Sequence, residues 1–201
     1  MDPLLILSVA VTIVSVSFHE FAHGYAAYLQ GDMTAKHEGR LTVNPAAHLD
    51  LVGSLLVPFL LIASGAPAFG WAKPVPYNPY NLRNRRWGEL AVAAAGPISN
   101  LLLALAFAAI ARAVGETSPF FEFAFVVVLV NVALALFNLM PVPPLDGSKI
   151  LGGLLGSRGR FLTNATLGTS IGLILVASFV LWPIFSPLVG KLAVALVGYG
   201  G

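Results

Sequence analysis

Four stretches of this chain, roughly residues 4 to 29, 88 to 112, 120 to 141 and 162 to 182, stay apolar for about the 20 residues that a helix needs to cross a bilayer. Hydrocarbon tolerates only backbone whose polar groups are satisfied internally, so these stretches predict spanning helices and exclude most soluble folds. Composition agrees: 57% of the 201 residues are hydrophobic and only 10% are charged, against about 25% in ordinary soluble domains. Two further apolar stretches, 49 to 64 with Pro58 and 184 to 198 with Lys191, are too short to count as clear spans. They are expected as re-entrant or interfacial half-elements. The start, Met1-Asp2-Pro3, lacks the basic region of a signal peptide, so the first helix is expected to be retained.

The segments between the spans are short. "GDMTAKHEGRLTVNPAAHLD" is polar, and Arg40 to Val43 suit one or two short strands. "APAFGWAKPVPYNPYN" carries prolines spaced so that no helix passes through it. The expected fold is an all-α polytopic membrane protein with four clear transmembrane helices, one or two short apolar segments, and a small β element between the first helix and residue 80. No repeat or long hydrophilic stretch divides the chain, so residues 1–201 read as a single integral membrane domain. A net charge of +2 is too small to suggest nucleic-acid binding. With no cysteine, the usual metal ligands left are His, Asp and Glu.

The chemistry concentrates in "SFHEFAH". His19 and His23 are four residues apart, so on a helix both imidazoles share one face and can share one metal ion. Glu20 completes the pattern H-E-x-x-H, in which two neutral imidazoles hold zinc and the glutamate takes a proton from the attacking water. Two buried histidines bonded to neighbours are the plainer alternative, but three ionisable groups within five residues of a membrane helix are expensive and point to function. Catalytic zinc keeps three protein ligands, so a third must come from elsewhere. Asp146, in "NLMPVPPLDG" just past a span, is the candidate, although Pro-Pro-Leu-Asp-Gly is also an ordinary turn signal.

Depth supports the ligand reading. His19 to His23 lie about 22 to 28 Å along the helix from Leu4 at 1.5 Å per residue, near its far end. Asp146 follows the far end of 120 to 141. One metal requires both ends on one membrane side, and residues 49 to 64 must then return to the face they left. That topology puts Lys36, Arg40, Lys73, Arg83, Arg85, Arg86, Lys149, Arg158 and Arg160 on the metal side, and Arg112 and, if 162 to 182 crosses fully, Lys191 opposite. The bias predicts a cytoplasmic metal side and an extracytoplasmic N-terminus, with Arg83, Arg85 and Arg86 as an anchor near anionic headgroups.

These residues resemble the site-2 protease family of intramembrane metalloproteases in its minimal prokaryotic form. Beyond "HEFAH", the resemblance rests on "GRLTVNPAAHLD", "GWAKPVPYNP", "AAGPISN" and "NLMPVPPLDG" in the family's order. It implies one zinc ion held by His19, His23 and Asp146, Glu20 as general base and acid, and Asn138 as a residue that orients substrate or stabilises the reacting carbonyl. Bonding across helices is the alternative for Asn138. Gly96, Pro97 and Asn100 match the start of the family's next core helix and are expected to pack. His48 is expected to be structural or to lie behind the ligands, and His37 to be exposed, with either an alternative ligand. The resemblance implies transmembrane protein substrates and a plasma-membrane location; in a departure from some relatives, these 201 residues are expected to leave no room for a PDZ or nucleotide-sensing domain. An edge strand near Arg40 to Asn44 is expected to pair with unwound substrate. Glycine pairs Gly152 with Gly156 and Gly168 with Gly172 permit close helix packing within or between protomers. A metal transporter or sensor, and a protein that binds membrane segments without cutting them, are the rival readings.

Overall fold

The computed structural model describes residues 2–63, 72–159 and 167–198. Its long elements are α1 (Pro3–Leu29), α4 (Arg85–Val114), α5 (Pro119–Asn138), and a final helical run made of α7 (Leu167–Val176), a π-helical turn (Ala177–Leu181) and α8 (Trp182–Val197). Shorter pieces are α2 (Thr34–His37), a π-helical stretch (Leu51–Leu56) continued by α3 (Val57–Ala63), and α6 (Asp146–Leu155).

Local chemistry sets the helix starts. Asp2 caps α1 by accepting from the Leu4 amide at 3.0 Å, with Pro3 supplying a first residue already at helical φ. Asn84 caps α4 through Trp87 at 3.0 Å, and Ser118 with Pro119 does the same for α5. Between α4 and α5 the chain turns at Gly115, whose φ of 76° favours a residue without Cβ.

Among the described residues, four helices are long and apolar enough to span a membrane: Pro3–Leu29, Trp87–Val114, Pro119–Asn138 and Gly172–Val197. The fourth corrects the expected 162 to 182, part of which lies outside the described residues. The stretch 184 to 198 is the second half of that span rather than a separate half-element. Pro183 lacks the amide that would bond Phe179 and crowds that carbonyl; Phe179 sits in the π-helical turn, a widening that relieves such crowding. The stretch from 49 is helical over Leu51–Ala63, about 20 Å at 1.5 Å per residue and so shorter than the roughly 30 Å hydrocarbon core; its continuation past 63 lies outside the described residues.

The core is small-residue packing. Ala104, Ala108 and Ala111 of α4 meet Ala124, Val128 and Val132 of α5 and Val189, Ala193 and Val197 of α8. In lipid, where apolar burial offers little drive, short side chains let backbones approach closely. Val11 joins α1 to Val126 and Val127 of α5. Of the glycine pairs, a Cβ on Gly172 would meet nothing within 4 Å, so that position faces no neighbour among the described residues.

The expected β element is absent among the described residues. Only a few strand-favouring residues separate Gly39, at φ 66°, from Pro45. Their polar groups are taken locally: the Asn44 amide donates to Thr42 Oγ1 at 3.1 Å, the Ala46 amide to Asn44 Oδ1 at 3.1 Å, and His48 Nε2 to the Thr42 carbonyl at 2.7 Å. No edge strand therefore exists at Arg40 to Asn44. Segment 72–78 has no amides at Pro74 and Pro76 with which to build a ladder.

Candidate metal centre

α1 and α4 lie alongside each other so that His19 and His23 face the start of α4. The break after α5 turns the chain back, placing Asp146 in the first turn of α6. His19 Nε2 and Asp146 Oδ2 are 3.1 Å apart, His23 Nε2 and Asp146 Oδ2 3.2 Å, and the two Nε2 atoms 3.0 Å. A tetrahedral zinc with N and O ligands at about 2.0–2.1 Å has ligand–ligand edges of about 3.3–3.4 Å. The triangle fits such an ion within a few tenths of an ångström. His19 and Asp146 are only 6% and 5% exposed.

Each imidazole is held from behind. His23 Nδ1 lies 2.6 Å from the carbonyl of Val92; a carbonyl only accepts, so Nδ1 carries the proton and Nε2 keeps its lone pair. His19 Nδ1 lies 2.7 Å from Asn100 Oδ1. Lys149 Nζ stands 3.8 Å from Asp146 Oδ1, the oxygen turned away from the histidines.

Space for an ion is kept by a glycine. A Cβ on Gly96 would fall 2.5 Å from His23 Nε2 and 2.6 Å from His19 Nε2. Gly96 and Asn100, expected to pack, thus shape and support the site. At Gly147 a Cβ would strike the backbone of Leu139 and Met140, so the residue after Asp146 must also be small for α6 to sit where it does.

Glu20 is beside the cluster, and its Oε2 accepts from the Val75 amide at 2.8 Å. Segment 72–78 is also fastened by Arg40 Nη2 to the Lys73 carbonyl at 2.8 Å and by the Asn78 amide to Asp32 Oδ2 at 2.8 Å. Tyr77, in the same segment, packs on Ala27, Leu82 and Val92. Burial, with the charges of Glu89 and Asp146, pushes its hydroxyl up to about 12.

Other candidates stand apart. Asn138 Nδ2 donates to Leu134 of its own helix at 3.0 Å, and among the described residues no hydrogen bond joins it to the ligands. His48 is buried against Thr42, and His37 is exposed at the end of α2. Among the described residues, His19, His23 and Asp146 form the one group of three able to hold a metal. Sequence reasoning missed the Val92 carbonyl, the Val75 amide, the bond from His19 to Asn100, and Asn131. The last had a signal: a lone amide inside "FVVVLVNVALALF" needs a partner in lipid.

The sequence profile described as Peptidase family M50 matches residues 112–179, which carry Asn138 and Asp146. YwhC of Bacillus subtilis, provisionally named a zinc metalloprotease, is 37% identical over 199 residues, covering 92% of this chain and 86% of its own length. Rip2 of Mycobacterium tuberculosis, named in the same provisional way, is 31% identical over 150 residues, or 74% of this chain and 57% of its own. The zinc metalloprotease MJ0392 of Methanocaldococcus jannaschii is 25% identical over 114 residues, or 57% of this chain and 34% of its own. No solved structure matches. A likeness to YwhC that runs nearly end to end, joined to an H-E-x-x-H pair and an aspartate converging among apolar helices, makes this chain an integral membrane member of peptidase family M50, the site-2 proteases.

Proposed function

We propose that the chain is a zinc endopeptidase that cleaves membrane proteins in or near their transmembrane segments. The convergence of His19, His23 and Asp146 to within 3.2 Å, beside a glutamate and among membrane-length helices, carries this reading. The three would hold one zinc ion, which supplies Lewis acidity and a water that loses its proton near neutral pH. Glu20 takes that proton and returns it to the leaving amine, while the Val75 amide keeps its carboxylate turned to one side. The second N–H of Asn138 Nδ2, beyond its bond to Leu134, is the candidate donor to the reacting carbonyl.

A helical substrate hides its amides and must unwind before attack. No strand at Arg40 to Asn44 is available to pair with it, and segment 72–78, bonded to α1 through Val75 and Glu20, is the extended backbone beside the site. The charge bias among Lys and Arg supports a metal side in the cytoplasm of a prokaryotic cell and an N-terminus outside.

The test uses purified protein and single-pass membrane substrates. Glu20→Gln is expected to keep zinc and lose cleavage, and chelation to abolish wild-type cleavage reversibly. Full cleavage by Glu20→Gln would refute the mechanism. Zinc flux into liposomes without cleavage would favour a transporter instead, and substrate binding with no product a non-cutting binder.

A further inference from the structure

Behind His19 runs a closed circuit of buried hydrogen bonds. Asn100 on α4 faces His19 Nδ1 at 2.7 Å, and its Nδ2 donates to Asn131 Oδ1 on α5 at 2.9 Å. Asn131 Nδ2 donates to Ser15 Oγ at 2.9 Å, one turn before His19 on α1, and to the carbonyl of Val127 at 2.9 Å. Asn100 and Asn131 are 0% exposed and Ser15 is 3% exposed.

The direction of this circuit is set at one point. The Val127 carbonyl can only accept, so the Asn131 atom facing it is the amide nitrogen, and the oxygen of Asn131 faces Asn100. That oxygen demands the nitrogen of Asn100, which leaves the oxygen of Asn100 toward His19. An oxygen acceptor demands a proton on His19 Nδ1. Nε2 is then the nitrogen free to bind metal, and it is the one aimed at Asp146 and His23.

We propose that the Val127 carbonyl, acting through Asn131 and Asn100, fixes the tautomer of His19 and so selects Nε2 as its ligating atom. Asn131 and Asn100 are positioning residues for the metal. The proposal rests on the reading of His19 as a ligand. It differs from a plain clamp between α1, α4 and α5, because it requires an acceptor at position 100 and not merely a hydrogen-bonded amide.

The experiment measures zinc affinity of the full chain in micelles by chelator competition, with 15N-histidine spectra of the zinc-loaded protein. Outer partners of metal-bound histidines are worth about 10- to 100-fold in affinity. Asn100→Leu is expected to lose that much, and Asn131→Leu about 10-fold. The double variant should bind no more weakly than Asn100→Leu, since the two act in series. Asn100→Asp keeps an acceptor toward His19 Nδ1 but sets an oxygen against Asn131 Oδ1, so it should lose affinity, yet less than Asn100→Leu. Alanine replaces leucine at either site if the leucine variant does not fold. Wild-type affinity in Asn131→Leu, loss in Asn100→Asp as large as in Asn100→Leu, or ligation through His19 Nδ1 would overturn the proposal. A wild-type protein that binds no zinc would instead refute the metal site itself.

Discussion

Gly96 has no side chain where α4 passes the two histidines, and a single methyl there would lie 2.5 Å from His23 Nε2. Forcing a methyl into a packed site costs about 1–3 kcal/mol, or about 5- to 150-fold in affinity. Gly96→Ala should therefore weaken zinc binding by that factor, read by chelator competition, while the circular dichroism of the helices is unchanged. Wild-type affinity would mean that the histidines move aside freely. The H-E-x-x-H pair was legible because helical spacing alone puts its imidazoles on one face. The roles of Gly96 and Asn100 were not, because a glycine beside a ligand and a glycine in a helix contact look the same in one dimension.

Segment 72–78 is held to its neighbours by side chains and by one backbone bond, from the Lys73 amide to the His48 carbonyl at 2.9 Å, rather than by a ladder. Asp32 accepts from the amide and hydroxyl of Thr34, from Asn81 Nδ2 and from the Asn78 amide, at 2.6 to 3.2 Å. Removing such a buried acceptor strands several donors, so Asp32→Ala should cost about 2–3 kcal/mol and open the segment to limited proteolysis. Burial raises the Asp32 carboxyl, and the bonds from Thr34, Asn81 and Asn78 more than reverse it, leaving its folded value below the ordinary one. A depressed folded value contributes stability that is present above the unfolded carboxylate value of about 3.9 and lost as pH falls through the lower folded value. The thermal stability advantage of wild type over Asp32→Asn should accordingly shrink as pH falls below about 4, and an advantage that stays constant on acidification would contradict it. Sequence patterns suggested strands here because Leu41, Thr42 and Val43 favour them; Gly39, Pro45, Pro74 and Pro76 decided otherwise.

The helix ends sort onto two faces of the molecule. Arg112, near the end of α4, donates to the carbonyls of Leu196 at 2.6 Å and Ala195 at 3.0 Å, so α4 and α8 finish together, opposite the metal. The chain has no cysteine, so single introduced thiols report sidedness cleanly. Under the proposed topology, Thr117→Cys, in the turn between α4 and α5, should react with an impermeant reagent in intact cells and Glu38→Cys only after lysis; the reverse pattern would invert the orientation. Zinc binding should also stabilise the fold, by about 2.7 kcal/mol at a free concentration one hundred times the dissociation constant. Chelation is expected to lower the unfolding temperature of wild type but not of a His19→Ala, His23→Ala variant.

Sequence alone determined the membrane architecture, because bilayer thickness and backbone desolvation leave few ways to accommodate such long apolar runs. It also determined the histidine pair, since a helix translates spacing directly into geometry. Tertiary structure decided what spacing cannot encode. It brought Asp146 across 127 residues of chain to within 3.1 Å of His19, joined the last two apolar stretches into one span, and set Asn100, expected only to pack, and Asn131, not singled out in the sequence, in a chain of hydrogen bonds behind His19. Those outcomes depend on which helix faces meet, and in lipid the meeting is governed by small residues and buried hydrogen bonds whose partners lie far apart in sequence.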